Sequence, residues 1–251
     1  MLQFFIVCPL TALAGFVDAI VGGGGLISLP TFLLAGLPAH YAIGTNKIPA
    51  LLSVGTATAQ YAHRGYIPWR LAALCSVLAC AGSALGAQAS LLIDERFFLY
   101  IMLAVLPATA LYVLLSKQLS PQNGSDSSSG GRGNLALCTA ISFVTGAYDG
   151  FYGPGSGTFM LLLFVGAAQL TLQEANGVSK AIGVATNVAS LLTFWGNGKI
   201  LWALGISAGV SCMVGSYLGA RFFERCNQRA IKLLILVVIC IFIVKVVHDL
   251  R

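Results

Sequence analysis

The sequence predicts an all-α polytopic membrane protein built as two inverted repeats of about five helical segments each, with discontinuous helices at glycine-rich motifs. Three observations lead there. Only 9% of the 251 residues are charged while 57% are hydrophobic, against about 25% charged in an ordinary soluble domain. Positions 71–93, 97–116, 150–173 and 200–220 are uncharged runs of 23, 20, 24 and 21 residues, each long enough to cross a hydrocarbon core of about 30 Å as helix. A polar skeleton in the first half also returns in the second at a nearly fixed offset.

Closed barrels also satisfy the backbone in lipid, but their strands alternate polar and apolar residues, whereas these runs are continuously apolar. Reading in order, segments are expected near 4–21, 24–37, 42–62, 70–90 and 97–116, then 134–152, 155–173, 176–196, 200–220 and 232–249. Segments 24–37 and 4–21 are short or glycine-interrupted, so eight full spans is the alternative count to ten. Between the two sets, SPQNGSDSSSGGRG is too polar to bury a core and reads as a linker. The division is therefore 1–116 first transmembrane repeat, 117–133 polar cytoplasmic linker and 134–251 second transmembrane repeat.

Short loops carrying Lys and Arg mark the cytoplasmic side. Arg64 and Arg70, Lys117 and Arg132, and the cluster Arg221, Arg225, Arg229 and Lys232 fit one threading, with Asp94 to Arg96 and Asn197 to Lys199 outside and both termini outside. The net charge of +6 is accounted for by this topology without nucleic acid. Seven cysteines lack C-x-x-C spacing and read as small core residues, not a disulfide or metal framework. Met1 to Phe5 has no basic region, so a cleavable signal peptide is not expected.

In the repeat, Gly15, Asp18 and Gly22 match Gly146, Asp149 and Gly153 at an offset of 131, while Lys47, Gly65, Ile67 and Trp69 match Lys180, Gly198, Ile200 and Trp202 at 133. An odd number of segments per unit inverts the second unit in the membrane, an architecture used by secondary transporters. A repeat kept only for packing is the plainer alternative.

Ionisable side chains at membrane depth cost at least about 2.5 kcal/mol on insertion scales and so call for a role. Asp18 and Asp149 each stand four residues before a glycine cluster, which makes them candidates for helix capping or proton coupling. Gly22, Gly23, Gly24 and Gly25, and Gly153, Pro154, Gly155, Ser156 and Gly157, interrupt otherwise spanning sequence, and a broken helix exposes N–H groups able to hold an anion. Close helix packing is the alternative. Thr45, Asn46 and Lys47 are placed at the start of the third segment, Ser179 and Lys180 at the start of the eighth, with Thr186 and Asn187 two turns further in. The lysines offer charge and the neutral groups orientation; a snorkelling anchor is the plain reading of each lysine. Gln60, Tyr61, Tyr148, Tyr152, Phe194 and Trp195 are weaker candidates to line a passage. His40, His63 and His248 have no ligand spacing, and Ser156 has no partner base, so neither a metal nor catalysis is expected.

GFVDAIVGGGGLISLP, AIGTNKIPALLSVGTATAQYAHRG and GAYDGFYGPGSGTF resemble the bacterial sulfite exporter TauE/SafE family, also called the 4-toluene sulfonate uptake permease family. The resemblance covers the chain apart from the linker. It implies a multi-pass secondary transporter of the bacterial inner membrane for sulfite, sulfonates, sulfoacetate or related small organic anions, with no cofactor and no enzymatic activity. It carries over Asp18, Gly22 to Gly25, Pro30, Thr45, Asn46 and Lys47, and Asp149, Gly153 to Gly157, Lys180 and Asn187. The expected partners are a small anion and the lipid bilayer, not nucleic acid. An anion channel and a noncatalytic membrane scaffold are the rival functions.

Overall fold

A computed structural model describes residues 2–94, 97, 98, 100, 101, 104, 105, 108 and 134–222. The linker, the last expected segment at 232–249, most of 97–116 and the basic residues Arg225, Arg229 and Lys232 lie outside the described residues. Among those described there is no strand; residues 97, 98, 100, 101, 104, 105 and 108 are helical, and eight further helices follow in order: α1 Leu2–Val21, α2 Gly25–Leu34, α3 Ala39–His63, α4 Trp69–Leu91, α5 Leu135–Phe151, α6 Ser156–Gly166, α7 Leu172–Gly196 and α8 Trp202–Phe222.

Only three of them, Trp69–Leu91, Leu172–Gly196 and Trp202–Arg221, are long and apolar enough to cross a membrane unaided. Four more are short apolar helices, so among the described residues full spans are fewer than either the ten segments or the eight spans expected. The shortness of all four has a visible cause: α1 and α2 are the pieces of one interrupted stretch, as are α5 and α6. At the first break Gly22 has φ +80° and at the second Gly153 has φ +99°, backbone that a residue with a Cβ adopts only under strain.

Other boundaries also moved. The expected segment 155–173 ends at Gly166, and after an irregular turn with Gln169 at φ +56° a new helix starts under a capping box. There the Thr171 side chain accepts from Glu174 N while the Glu174 carboxylate accepts from Thr171 N, so two otherwise free N–H groups are satisfied. α3 begins at Ala39, directly after Pro38, which cannot extend a helix backwards. Lys47 and Lys180 therefore do not begin their helices. Each lies two turns inside, eight residues beyond Ala39 and Leu172 respectively.

Packing is tightest where glycine lets backbones touch. α4 runs along α5, and α1 runs along α8. A Cβ on Gly82 or Gly86 would strike the carbonyls of Phe143 or Ala147; on Gly215 or Gly219 it would strike those of Ala12 or Phe16. Lipid provides no hydrophobic drive between helices, so close contact and interhelical hydrogen bonds hold such seams. Ser83 Oγ donates to Thr186 O and Ser216 Oγ to Ser53 O, both at 2.7 Å. Each α4·α5 contact thus has an α1·α8 counterpart at the offsets of 131 and 133 that separate the two halves in sequence.

The outer faces of α4 and α8 expose Leu74, Val77, Leu85, Ile206, Val210 and Val214, while Lys47, Asp149, Lys180 and a set of serines and threonines are buried. Apolar outside and polar inside is the pattern of a chain whose solvent is lipid. The protein is an all-α, multi-pass membrane bundle.

Candidate functional site

The two helix breaks meet at the centre of the bundle. A Cβ on Gly22 would lie 2.9 Å from Gly157 C, and one on Gly25 would lie 3.0 Å from Pro154 Cα. Side chains here would push the breaks apart. Around this crossing lies a cavity of about 70 Å³, room for more than one water or a small anion.

Both lysines reach across to the other half of the chain. Lys47 Nζ donates to the main-chain oxygen of Asp149 at 2.6 Å and stands 3.5 Å from Asp149 Oδ2. Lys180 Nζ donates to the main-chain oxygen of Asp18 and lies 3.3 Å from Asp18 Oδ2. The break creates one of these acceptors, since Gly153 N turns to Tyr148 O and leaves Asp149 O without its usual partner four residues on. An ammonium group there also meets the negative end of the α5 dipole. Glycine is called for at Gly153 by its φ of +99°; a Cβ there would stand in ordinary contact with Lys47 Nζ at 3.4 Å.

The carboxylates are held by hydroxyls as well. Ser156 Oγ, at the start of α6, donates to Asp149 Oδ1 at 2.7 Å, and Ser53 Oγ donates to Asp18 Oδ2 at 3.3 Å. Among the described residues neither carboxylate accepts a bond from a backbone N–H at its break; the lysines and serines serve them instead. Four buried oxygens, Asn46 Oδ1, Tyr152 Oη, Asn187 Oδ1 and Asp149 Oδ2, make no hydrogen bond among the described residues, though Asp149 Oδ2 has the Lys47 ammonium 3.5 Å away. The orientation of Asn187 follows from its own Nδ2, which donates to Gly183 O at 2.8 Å.

Of the residues singled out from sequence, the cavity wall collects Asp18, Gly22, Gly24, Gly25, Asn46, Lys47, Asp149, Gly153, Gly155, Ser156, Gly157, Ser179, Lys180, Thr186 and Asn187. Gly23 and Thr45 are buried off the wall; Gly23 O accepts from Leu26 N, and Thr45 Oγ1 accepts from Leu201 N at 3.0 Å. The weaker candidates have packing roles: Tyr61 donates to Ala19 O, Tyr148 to Pro154 O, and Gln60 to Tyr217 O. His40 contacts Ser90 O at 3.0 Å. Among the described residues no cluster of three metal-ligating side chains occurs. Sequence reading missed Ser28, Ser53, Met160 and Cys212 on the wall. For Ser53 a signal existed, since it stands 133 residues before Thr186 as Lys47 stands before Lys180.

The chain is similar to several membrane transporter proteins. ORF9 of a Sinorhizobium species, named a probable membrane transporter protein, is 30% identical over 237 residues, covering 94% of this chain and 89% of that protein. A probable membrane transporter protein of Haemophilus influenzae is 30% identical over 94% of this chain and 91% of its own length. The probable membrane transporter protein YfcA of Escherichia coli is 29% identical over 94% and 87%. No solved structure matches. With residues 7–246 matching the description "Sulfite exporter TauE/SafE", the chain belongs to that family, a family of membrane transporters and not of enzymes.

Proposed function

We propose that the protein carries small anions across the bacterial inner membrane by alternating access, with sulfite, sulfonates, sulfoacetate and related organic anions as the cargo class. The observation that carries this reading is the convergence of two buried lysines, one from each half, on a single cavity where two broken helices cross. Lysine supplies a compact positive charge. The first turns of α2 and α6 add the positive ends of two helix dipoles, and Ser28 offers a hydroxyl, while the Ser156 and Ser179 protons go to Asp149 Oδ1 and Ala175 O. The wall suits an anion small enough for about 70 Å³.

Two inverted repeats, residues 1–116 and 134–251, joined by a cytoplasmic linker at 117–133, are the architecture this reading uses. Its support is the matched seam of α1·α8 with α4·α5 and the matched lysine–aspartate pairs. Two such halves exchange inward-open and outward-open forms around a fixed site.

Binding measured in detergent across sulfite, sulfoacetate, taurine and short carboxylates identifies the cargo. Lys47→Ala and Lys180→Ala should each weaken that binding at least tenfold with insertion near normal, and Arg should not fully restore it, because a planar fork places charge differently. Unchanged affinity in both alanine variants removes the lysines from the site. Saturable flux in proteoliposomes supports a carrier, whereas large unitary currents would replace it with a channel.

A further inference from the structure

We propose that the crosswise ion pairs make this site electroneutral, with Asp149 taking up one proton for each negative charge of cargo that Lys47 receives; the inference rests on the anion-carrier reading. The starting point is charge. Five titratable side chains line the cavity: Asp18 from α1, Lys47 from α3, Asp149 from α5, Lys180 from α7 and Cys212 from α8. α2 and α6 contribute Ser28, Ser156 and Met160, and α4 meets the end of α5 through Ser83 and Gly86. On α5 itself, Tyr148 and Tyr152 flank the break, with the Tyr148 hydroxyl donating to Pro154 O. With both lysines and both aspartates ionised and the thiol neutral, the wall sums to zero. A bare anion would then leave net negative charge buried in low dielectric, which is expensive unless compensated.

The geometry provides the compensation at Asp149. Lys47 is fixed by the main-chain oxygen at 2.6 Å, closer than the carboxylate at 3.5 Å. It therefore keeps its position when the carboxylate is neutralised. Asp149 Oδ1 already accepts from Ser156, while Oδ2 accepts no hydrogen bond among the described residues, so Oδ2 can take a proton without losing a donor. Asp18 differs, since its Oδ2 accepts from both Ser53 and Lys180. Its side chain is 16% exposed against 8% for Asp149, and it stays in its ion pair.

The cycle balances as follows. A proton passes from water on the loading side to Asp149 Oδ2, the Lys47 ammonium turns its freed N–H groups to the anion, and no bond within the cargo changes. On the other side the anion leaves, the proton returns to water and the Lys47–Asp149 pair re-forms. Neither the loaded nor the empty carrier moves net charge.

The test uses purified full-length protein in proteoliposomes with radiolabelled methanesulfonate, a fixed monoanion, and with pH gradient and membrane potential imposed separately. Wild-type protein should accumulate it about tenfold per pH unit and ignore the potential. Asp149→Asn leaves Lys47 uncompensated, so its uptake should lose the pH response and gain a response to potential of up to about fifty-fold per 100 mV. Lys47→Met/Asp149→Asn also removes the ammonium that receives the anion, and its uptake should fall at least tenfold under either gradient. Potential-driven wild-type uptake without a pH response overturns the coupling alone, as does a full pH response in Asp149→Asn. The wild-type measurement decides even where a variant fails to fold. Absence of saturable methanesulfonate binding and uptake by wild-type protein instead overturns the anion-carrier reading, and this inference with it.

Discussion

Removing Lys47 alone should cost more stability than removing Lys47 and Asp149 together. Both side chains are buried at 3% and 8% exposure, with Nζ 3.5 Å from Oδ2. At that separation and an effective dielectric near 20, two unit charges attract by about 5 kcal/mol, most of it offset by the cost of desolvating them. Lys47→Met strands the carboxylate, a loss of roughly 3–5 kcal/mol. Lys47→Met/Asp149→Asn removes both charges and leaves chiefly the lost bond to Asp149 O, about 1–3 kcal/mol for a charged donor. With a similar loss for Asp149→Asn, which strands the ammonium, the cycle should return a coupling energy of about 3 kcal/mol or more. A second cycle within one half, Lys47→Met with Asp18→Asn, should return less than about 1 kcal/mol, because those two groups share no hydrogen bond or ion pair. The assay is SDS-induced unfolding in mixed micelles, followed by fluorescence of the three tryptophans. Coupling that is larger within a half than across the halves would refute the swapped pairing.

The glycine seams predict that Gly150→Ala, whose new Cβ meets the Ser83 carbonyl, lowers stability by about 1–3 kcal/mol or more in the same assay. Gly55→Ala, with nothing within 4 Å of its Cβ, should be neutral or stabilise α3 by up to about 1 kcal/mol; equal losses at the two sites would show that the seam is not close-packed. For topology, a single cysteine at Arg64 on a cysteine-free background should be protected from an impermeant thiol reagent in intact cells, and one at Asn197 should react; the opposite pattern reverses the orientation.

Much of this was legible because glycine, proline and charge are conspicuous in apolar sequence. GGGG and GPGSG announced broken helices, and α1 ends at Val21 with α2 starting at Gly25, while α5 ends at Phe151 with α6 starting at Ser156. Helix ends set by side-chain bonds were harder. TLQE carries the capping-box pattern three residues apart, yet inside a hydrophobic run the longer apolar stretch dominated the reading, and the start of α7 was placed four residues late. Cys212 is invisible as a wall residue because nothing in its local sequence separates a cavity face from a packed one, and Ser53 shows only through its offset of 133 to Thr186. That distinction arises only when α1, α3 and α8 come together.

Nor did the sequence say which lysine meets which aspartate. Offsets of 131 and 133 align Lys47 with Lys180 and Asp18 with Asp149, but a pairing within each half would have satisfied the same spacing. The crosswise choice has a mechanical consequence. Lys47 holds the carbonyl end of α5 while Lys180 holds that of α1, so neither half completes its own site and any displacement of one half strains both pairs together. In the proposed cycle Lys47 keeps its bond to Asp149 O and gives up only the carboxylate, which loosens one of the two ties between the halves at the crossing of the breaks, where Gly22 and Gly157 are in backbone contact. In that cycle cargo occupancy and the freedom of the halves to move are carried by the same ammonium group.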